Sequence, residues 1–269
     1  MKKLGLFFIL LFVLAKLVYA DRLDEIQKSG VLRVASLDSN PPFGFLDKRS
    51  HQIIGFDVDI ARAIADRLKL KLIVMPTNTA NRVALLTAGK VDLIAANFTI
   101  TPERRQQIDF STPYFATHQG FIARTGTLNK ADQLNGLRIG VDKGTTQEIN
   151  LRKKYPQAIV IAYDNTSLAF AALRNRHVQA ISQDDAKLLA LLAKVPDKEK
   201  YELVPFVLAR EFQALGLPKN EARFAKVINQ ILFALEQSGE MERIYQRWFG
   251  PASTVPLTRS FKIGDATTQ

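Results

Sequence analysis

The chain repeats itself. Ala84-Leu85-Leu86 followed by Val91-Asp92-Leu93-Ile94 is echoed by Ala171-Ala172-Leu173 followed by Val178-Gln179-Ala180-Ile181. Likewise Leu32-Arg33-Val34-Ala35-Ser36 is echoed by Leu137-Arg138-Ile139-Gly140-Val141. Each unit joins a helical apolar spacing to a short run of strand formers, and that alternation predicts an α/β architecture. In open α/β sheets ligands bind beyond the carboxyl ends of the strands. Six residues on from Val91 stands Asn97, and six on from Val178 stands Asp184, so each half carries a polar group at that place. Two such halves face to face would form a cleft.

Between these landmarks the elements read in order. Val31 to Ser36 is a strand. Asp57 to Leu70 is a helix, with Ile60, Ile64 and Leu68 on one face and Asp57 as its N-cap. Lys71 to Met75 is a strand, Asn81 to Ala88 a short helix ended by Gly89, and Val91 to Ala96 a buried strand. Helices return at Ala222 to Leu235 and Glu240 to Phe249, and Pro251 closes the region. Residues 254–269 read as a polar, loosely held tail.

The start of the chain has a different character. Met1-Lys2-Lys3 precedes an apolar run from Leu4 to Ala15, and Val18-Tyr19-Ala20 matches a cleavage site. Residues 1–20 are expected to be a signal peptide cut after Ala20, which places the mature chain in the periplasm. Lys16 leaves the apolar run short of a membrane span of about 20 residues. The sequence has no cysteine, so an exported chain of this length must rest on its core rather than on disulfides. With only His51, His118 and His177, dispersed along the chain, no metal site and no cofactor are expected. The formal charge of +11 includes Lys2, Lys3 and Lys16 of the leader, and the remaining basic residues are scattered. Export argues against nucleic acid as a partner; the sign of the charge mildly favours an anionic ligand.

At Gly55-Phe56-Asp57-Val58-Asp59-Ile60 the chain resembles the family 3 extracellular solute-binding proteins, the polar amino-acid receptors of ABC importers. Further stretches agree in order: Pro41-Pro42-Phe43, Gly89-Lys90-Val91-Asp92-Leu93-Ile94, and Thr99-Ile100-Thr101-Pro102-Glu103-Arg104. Asp109-Phe110-Ser111-Thr112-Pro113-Tyr114, Gly144-Thr145-Thr146-Gln147-Glu148 and Gln183-Asp184 follow. The resemblance implies a two-lobe periplasmic-binding-protein-like (type II) fold with an interlobe cleft and two hinge strands. Lobe 1 would be residues 21–113 plus 213–253, and lobe 2 residues 120–206. The hinge would be 114–119 and 207–212. It also implies a monomer that closes on an amino acid and docks on an ABC permease.

The residues suit that ligand chemically. Arg104 offers a guanidinium fork for a carboxylate, and Thr99 a hydroxyl five residues earlier. Thr145 and Glu148 fit a capping box, so Thr145 and Thr146 open a helix whose free N–H groups favour an anion. Asp184 can accept from an ammonium, or serve only as a helix cap. Phe43 and Phe56 can wall the ligand's carbon chain, or belong to the core. In similar family members the matches to Thr99, Arg104, Thr145 and Thr146 bind the α-carboxylate. The match to Asp184 binds the α-ammonium, and that to Asn97 adds a contact. Receptors for acidic amino acids carry an arginine at the place of Arg82, which makes it the candidate reader of a Glu or Asp side chain; the alternative is a solvent-facing arginine. Leu37 and Asn40 stand where many members have an acid and an aromatic, which lowers the expectation of a basic ligand. The expected function is therefore a binding protein for an acidic amino acid or glutamine, not an enzyme. The rival readings are a cyclohexadienyl or arogenate dehydratase-like enzyme on the same fold, and a ligand-sensing subunit. No Ser-His-Asp set or pair of catalytic carboxylates is evident, Asp184-Asp185 being the nearest approach to one.

Overall fold

The computed structural model describes residues 21–266, so the expected signal peptide lies outside the described residues. The chain forms two α/β lobes. In the first, the strand Val31–Leu37 lies parallel between Lys71–Thr77 and Leu93–Ile94. Gly216–Leu217 and Asp109–Phe110 extend that sheet antiparallel on the far side. In the second, Arg138–Asp142 lies parallel between Ile159–Tyr163 and Ala180–Asp184, and Phe115–Arg124 joins Ala180–Asp184 antiparallel. Tyr201–Leu203 and Ala209–Gln213 both pair with Phe115–Arg124. The two chain crossings between lobes are thus a single antiparallel ribbon, with Ala209 opposite Gln119 and Gln213 opposite Phe115.

Burial follows the periodicities. Ile60 and Ile64 of the helix Phe56–Leu68 are fully buried against the C-terminal helices Ala222–Gln237 and Glu240–Phe249. That helix begins one residue earlier than the sequence predicts, and Asp57 is not its cap. Gly55 holds the N-cap place at φ 148°, where any side chain would run into the Phe43 carbonyl. Asp57 is carried into the interior instead. Of the strand expected over Val91 to Ala96, Leu93–Ile94 forms the ladder, with flanking bonds from Asp92 N–H to Arg33 O and from Ala95 N–H to Ala35 O, and the chain turns at Asn97 (φ 50°).

Two expectations are overturned by packing. Phe43 and Phe56 do not wall a cleft. Both are wholly buried in the core of the first lobe, where Phe43 meets Phe56, Phe115 and Phe249 at ring separations of 6.1, 5.2 and 5.6 Å. Nor is the tail loosely held over its described part. Val255, Phe261 and Ile263 are buried, Phe261 lies 5.3 Å from the hinge residue Phe212, and Arg259 pairs with Glu236 and Glu242. Its polar composition hides three apolar anchors that grip a helix face and the hinge.

Candidate ligand-binding cleft

Between the lobes lies a narrow polar cleft whose free space is only about 10 Å³. That is room for about one water molecule, far below the about 300–1,000 Å³ of drug-sized ligand sites, so an amino acid needs the lobes to part further. Thr79, Arg82, Asn97, Thr99 and Arg104 line it from the first lobe. Thr145, Thr146, Gln147, Asp184 and Lys187 line it from the second. Every residue singled out from the sequence is here except Phe43 and Phe56.

Asn97 organises the first lobe's side. Its backbone N–H donates to Asp57 and its carbonyl accepts from Arg82. Its side-chain oxygen accepts from Asn40 at 3.2 Å. Asp57 also accepts from the Tyr114 hydroxyl at 2.7 Å, and burial raises its pKa to about 7. Buried Arg82 donates from Nε to Thr79 O at 3.0 Å, and from Nη1 to Ala96 O at 2.7 Å and Asn97 O at 3.1 Å. Arg104 donates to Thr99 O at 2.7 Å and, across the cleft, to Gly144 O at 3.1 Å. Both guanidiniums rest near Phe98, at 4.7 and 4.5 Å from its ring centre, an arrangement that favours cations. Burial lowers their pKa values, to about 9 for Arg82 and about 10 for Arg104, which leaves both charged at neutral pH.

On the opposite wall, Asp184 stands at the N-cap of the helix Asp185–Leu192 without capping it. Its oxygens accept from Gln147 at 2.7 Å, Asn97 at 2.8 Å and Gln213 at 3.0 Å. Burial, then the neighbouring Glu211 charge, raises its pKa to about 7. Thr145 does cap the helix Thr146–Lys154, but its expected box is altered: the Glu148 carboxylate accepts from the Gly144 N–H at 2.9 Å. Thr145, Thr146 and Gln147, which open that helix, line the cleft together with Arg104, and a helix start favours an anion. Gly144 (φ 76°) approaches the other lobe so closely that a Cβ there would sit 2.9 Å from Ala80 Cα.

Among the described residues, Arg82 and Arg104 are hydrogen-bonded to backbone carbonyls and Asp184 to amides; no ion pair contains any of them. Lys187, by contrast, is neutralised by Asp142 at 3.1 Å. Buried charges are stabilised by opposite charge. Arg82, Arg104 and Asp184 thus have no direct ion-pair partner, although the buried Glu211 carboxylate acts on both Arg104 and Asp184 through its charge.

Several participants escaped the sequence reading. Gln147 lies inside the stretch Gly144-Thr145-Thr146-Gln147-Glu148, yet only the fold shows its bond to Asp184. Phe98 looks like any core aromatic between Asn97 and Thr99. Glu211, Gln213 and Gln119 belong to the hinge ribbon, where no local pattern marks an inward-facing polar side chain; strand alternation within Ala209–Gln213 was the one available signal.

The family model for bacterial extracellular solute-binding proteins, family 3, matches residues 32–251. The ABC transporter glutamine-binding protein of Bacillus subtilis is 30% identical over 211 residues, 77% of this chain and 76% of that protein. The glutamate/aspartate import solute-binding protein of Salmonella typhimurium is 29% identical over 257 residues, 90% of this chain and 84% of that protein. Among solved structures, the solute receptor for L-cysteine of Neisseria gonorrhoeae superposes with a TM-score of 0.79 at 31% identity, covering 85% of this chain and 94% of that one. On a family match spanning the lobes, the hinge and the cleft, the chain belongs to the bacterial extracellular solute-binding proteins, family 3.

Proposed function

We propose that this protein is the periplasmic receptor of an ABC importer, and that it closes around an acidic amino acid, glutamate or aspartate, for delivery to the permease. The carrying observation is the set of three cleft charges without ion-pair partners, Arg104, Asp184 and Arg82. Arg104 and the helix start at Thr145–Thr146 would take the α-carboxylate, with Thr99 beside them. Asp184 would take the ammonium, which would hold it ionised against burial. Arg82 keeps Nη2 outside its three carbonyl bonds. Together with its charge, that leaves it a donor for a side-chain carboxylate. Glutamine is the second reading, since an amide oxygen also accepts from Arg82.

A thermal-melt screen against the common amino acids tests this. A ligand at a hundred times its Kd adds about 2.7 kcal/mol to stability. At roughly 2–4 °C per kcal/mol for a chain near this size, that shift is easily read. Glutamate or aspartate should give the largest rise, be recovered unchanged, and lose affinity in Arg82→Ala far more than glutamine does. Equal losses for both would remove Arg82 from ligand selection. A product in place of the ligand would turn the reading to the dehydratase.

A further inference from the structure

Glu211 lies on the hinge strand Ala209–Gln213, is 7% exposed, and is assigned no group of the ligand above. One of its oxygens accepts from the hydroxyls of Thr99, at 3.1 Å, and Thr146, at 2.8 Å. The other accepts from Gln119 at 2.8 Å on the partner strand of the ribbon. One hydroxyl comes from each lobe, and both belong to residues assigned to the ligand's α-carboxylate. When the amino acid is enclosed, two carboxylates must therefore meet around one set of donors. Like charges so close cannot both remain ionised in a buried site.

We propose, resting on the reading of the cleft as an amino-acid site, that Glu211 takes up a proton from solvent as the ligand is enclosed, and that its new O–H then donates to the ligand's α-carboxylate. A protonated carboxyl is a donor as well as an acceptor, and kept neutral in a buried site it can serve as a fixed donor to an anion. Charge balance agrees. With Glu211 neutral, and with Asp57 holding the proton that its burial favours, Arg82, Arg104 and Asp184 match the two carboxylates and one ammonium of an acidic amino acid; with Glu211 ionised, the filled cleft carries one negative charge too many. Burial already displaces the Glu211 pKa upward.

The charged groups on the elements around it are few. Arg104 comes from the helix Pro102–Gln107, and Asp184 from the end of its strand. The ion pair Glu148–Arg152 sits on the helix that bears Thr146, and Arg210 is its own neighbour. His118, 3.3 Å from Asp185, lies on the facing strand. Of the two acids closest to one another, Asp184 has an ammonium to hold it ionised, which leaves Glu211 to carry the proton.

The test is calorimetric titration of the mature protein with L-glutamate, or with whichever common amino acid gives the largest thermal shift, in buffers of different ionisation enthalpy from pH 6 to 8.5. Uptake approaching one proton per ligand is expected at the alkaline end, with Kd weakening towards tenfold per pH unit, as linkage requires. Glu211→Gln, which keeps the shape and an N–H donor, should abolish the uptake and flatten the pH profile. His118→Gln should retain both. Binding without proton uptake, or an unchanged pH profile in Glu211→Gln, overturns the proposal while leaving the amino-acid receptor intact. Failure of every amino acid to bind removes the receptor reading itself, and this proposal with it.

Discussion

The side-chain amide of Asn97 donates to the carboxylate of Asp184 across 2.8 Å, so the two polar residues that end the matching strands of the two halves touch each other. Asn97 does this from a left-handed backbone (φ 50°), which asparagine tolerates better than most residues. Asn97→Ala keeps the backbone strain and leaves Asp184 one donor short. A buried polar group left unpaired costs about 1–3 kcal/mol, and 1.4 kcal/mol is tenfold in Kd. Affinity should fall about tenfold or more by titration. Asn97→Gly should lose affinity similarly but melt closer to the wild type, because glycine adopts this φ freely. Equal melting losses in both variants would show that the backbone conformation is not what asparagine supplies.

Phe43 and Phe98 separate packing from recognition. Both are buried, but only Phe98 carries the two cleft guanidiniums on its ring. Phe43→Leu should lower the melting temperature and leave Kd unchanged at a temperature where the protein is folded. Phe98→Leu should also raise Kd severalfold, given about 0.5–2 kcal/mol for a cation on an aromatic face. A change of Kd in Phe43→Leu would return that residue to the ligand wall.

The pH dependence of stability should report Asp57. Its folded pKa is raised from 3.8 to about 7 by burial. The folded state therefore holds the proton more tightly than the unfolded chain. The resulting stabilisation is fully present below about pH 4 and is lost as pH rises through about 7. Asp57→Asn preserves the acceptor for the Asn97 N–H and lets its amide donate to the Tyr114 oxygen. Melting temperatures measured from pH 4 to 8 should fall less steeply in this variant, and it should melt above the wild type at pH 8. An identical slope would mean that Asp57 does not titrate in this range.

The tail should matter to stability rather than to recognition. Phe261→Ala removes a buried ring from the hinge residue Phe212, at about 3 kcal/mol for such a truncation. That corresponds to a loss of roughly 6–12 °C in the melt. Amino-acid affinity in the cold should be retained. A melt within a degree of the wild type would show that the tail contact contributes little in solution.

The alternation of strand and helix patterns and the internal echo determined the α/β lobes, because side-chain period and burial are local properties. They also placed Asn97 and Asp184 at strand ends; the motif stretches carried Thr99, Arg104, Thr145 and Thr146 to the cleft, and the family resemblance carried Arg82. What the sequence left open was direction. Phe43 and Phe56 are apolar near a cleft, and only the aromatic cluster around Phe249 decides that they face the core. Asp57 looks like a helix cap until Gly55 takes that place and sends the carboxylate inward. The tail's three buried anchors are too widely spaced to read as an element. Glu211, Gln213 and Gln119 become a site only because two crossings, distant in the chain, pair as one ribbon between the lobes. Local propensity sets which elements form; which side chains meet in the cleft depends on long-range pairing, and that is a property of the assembled fold.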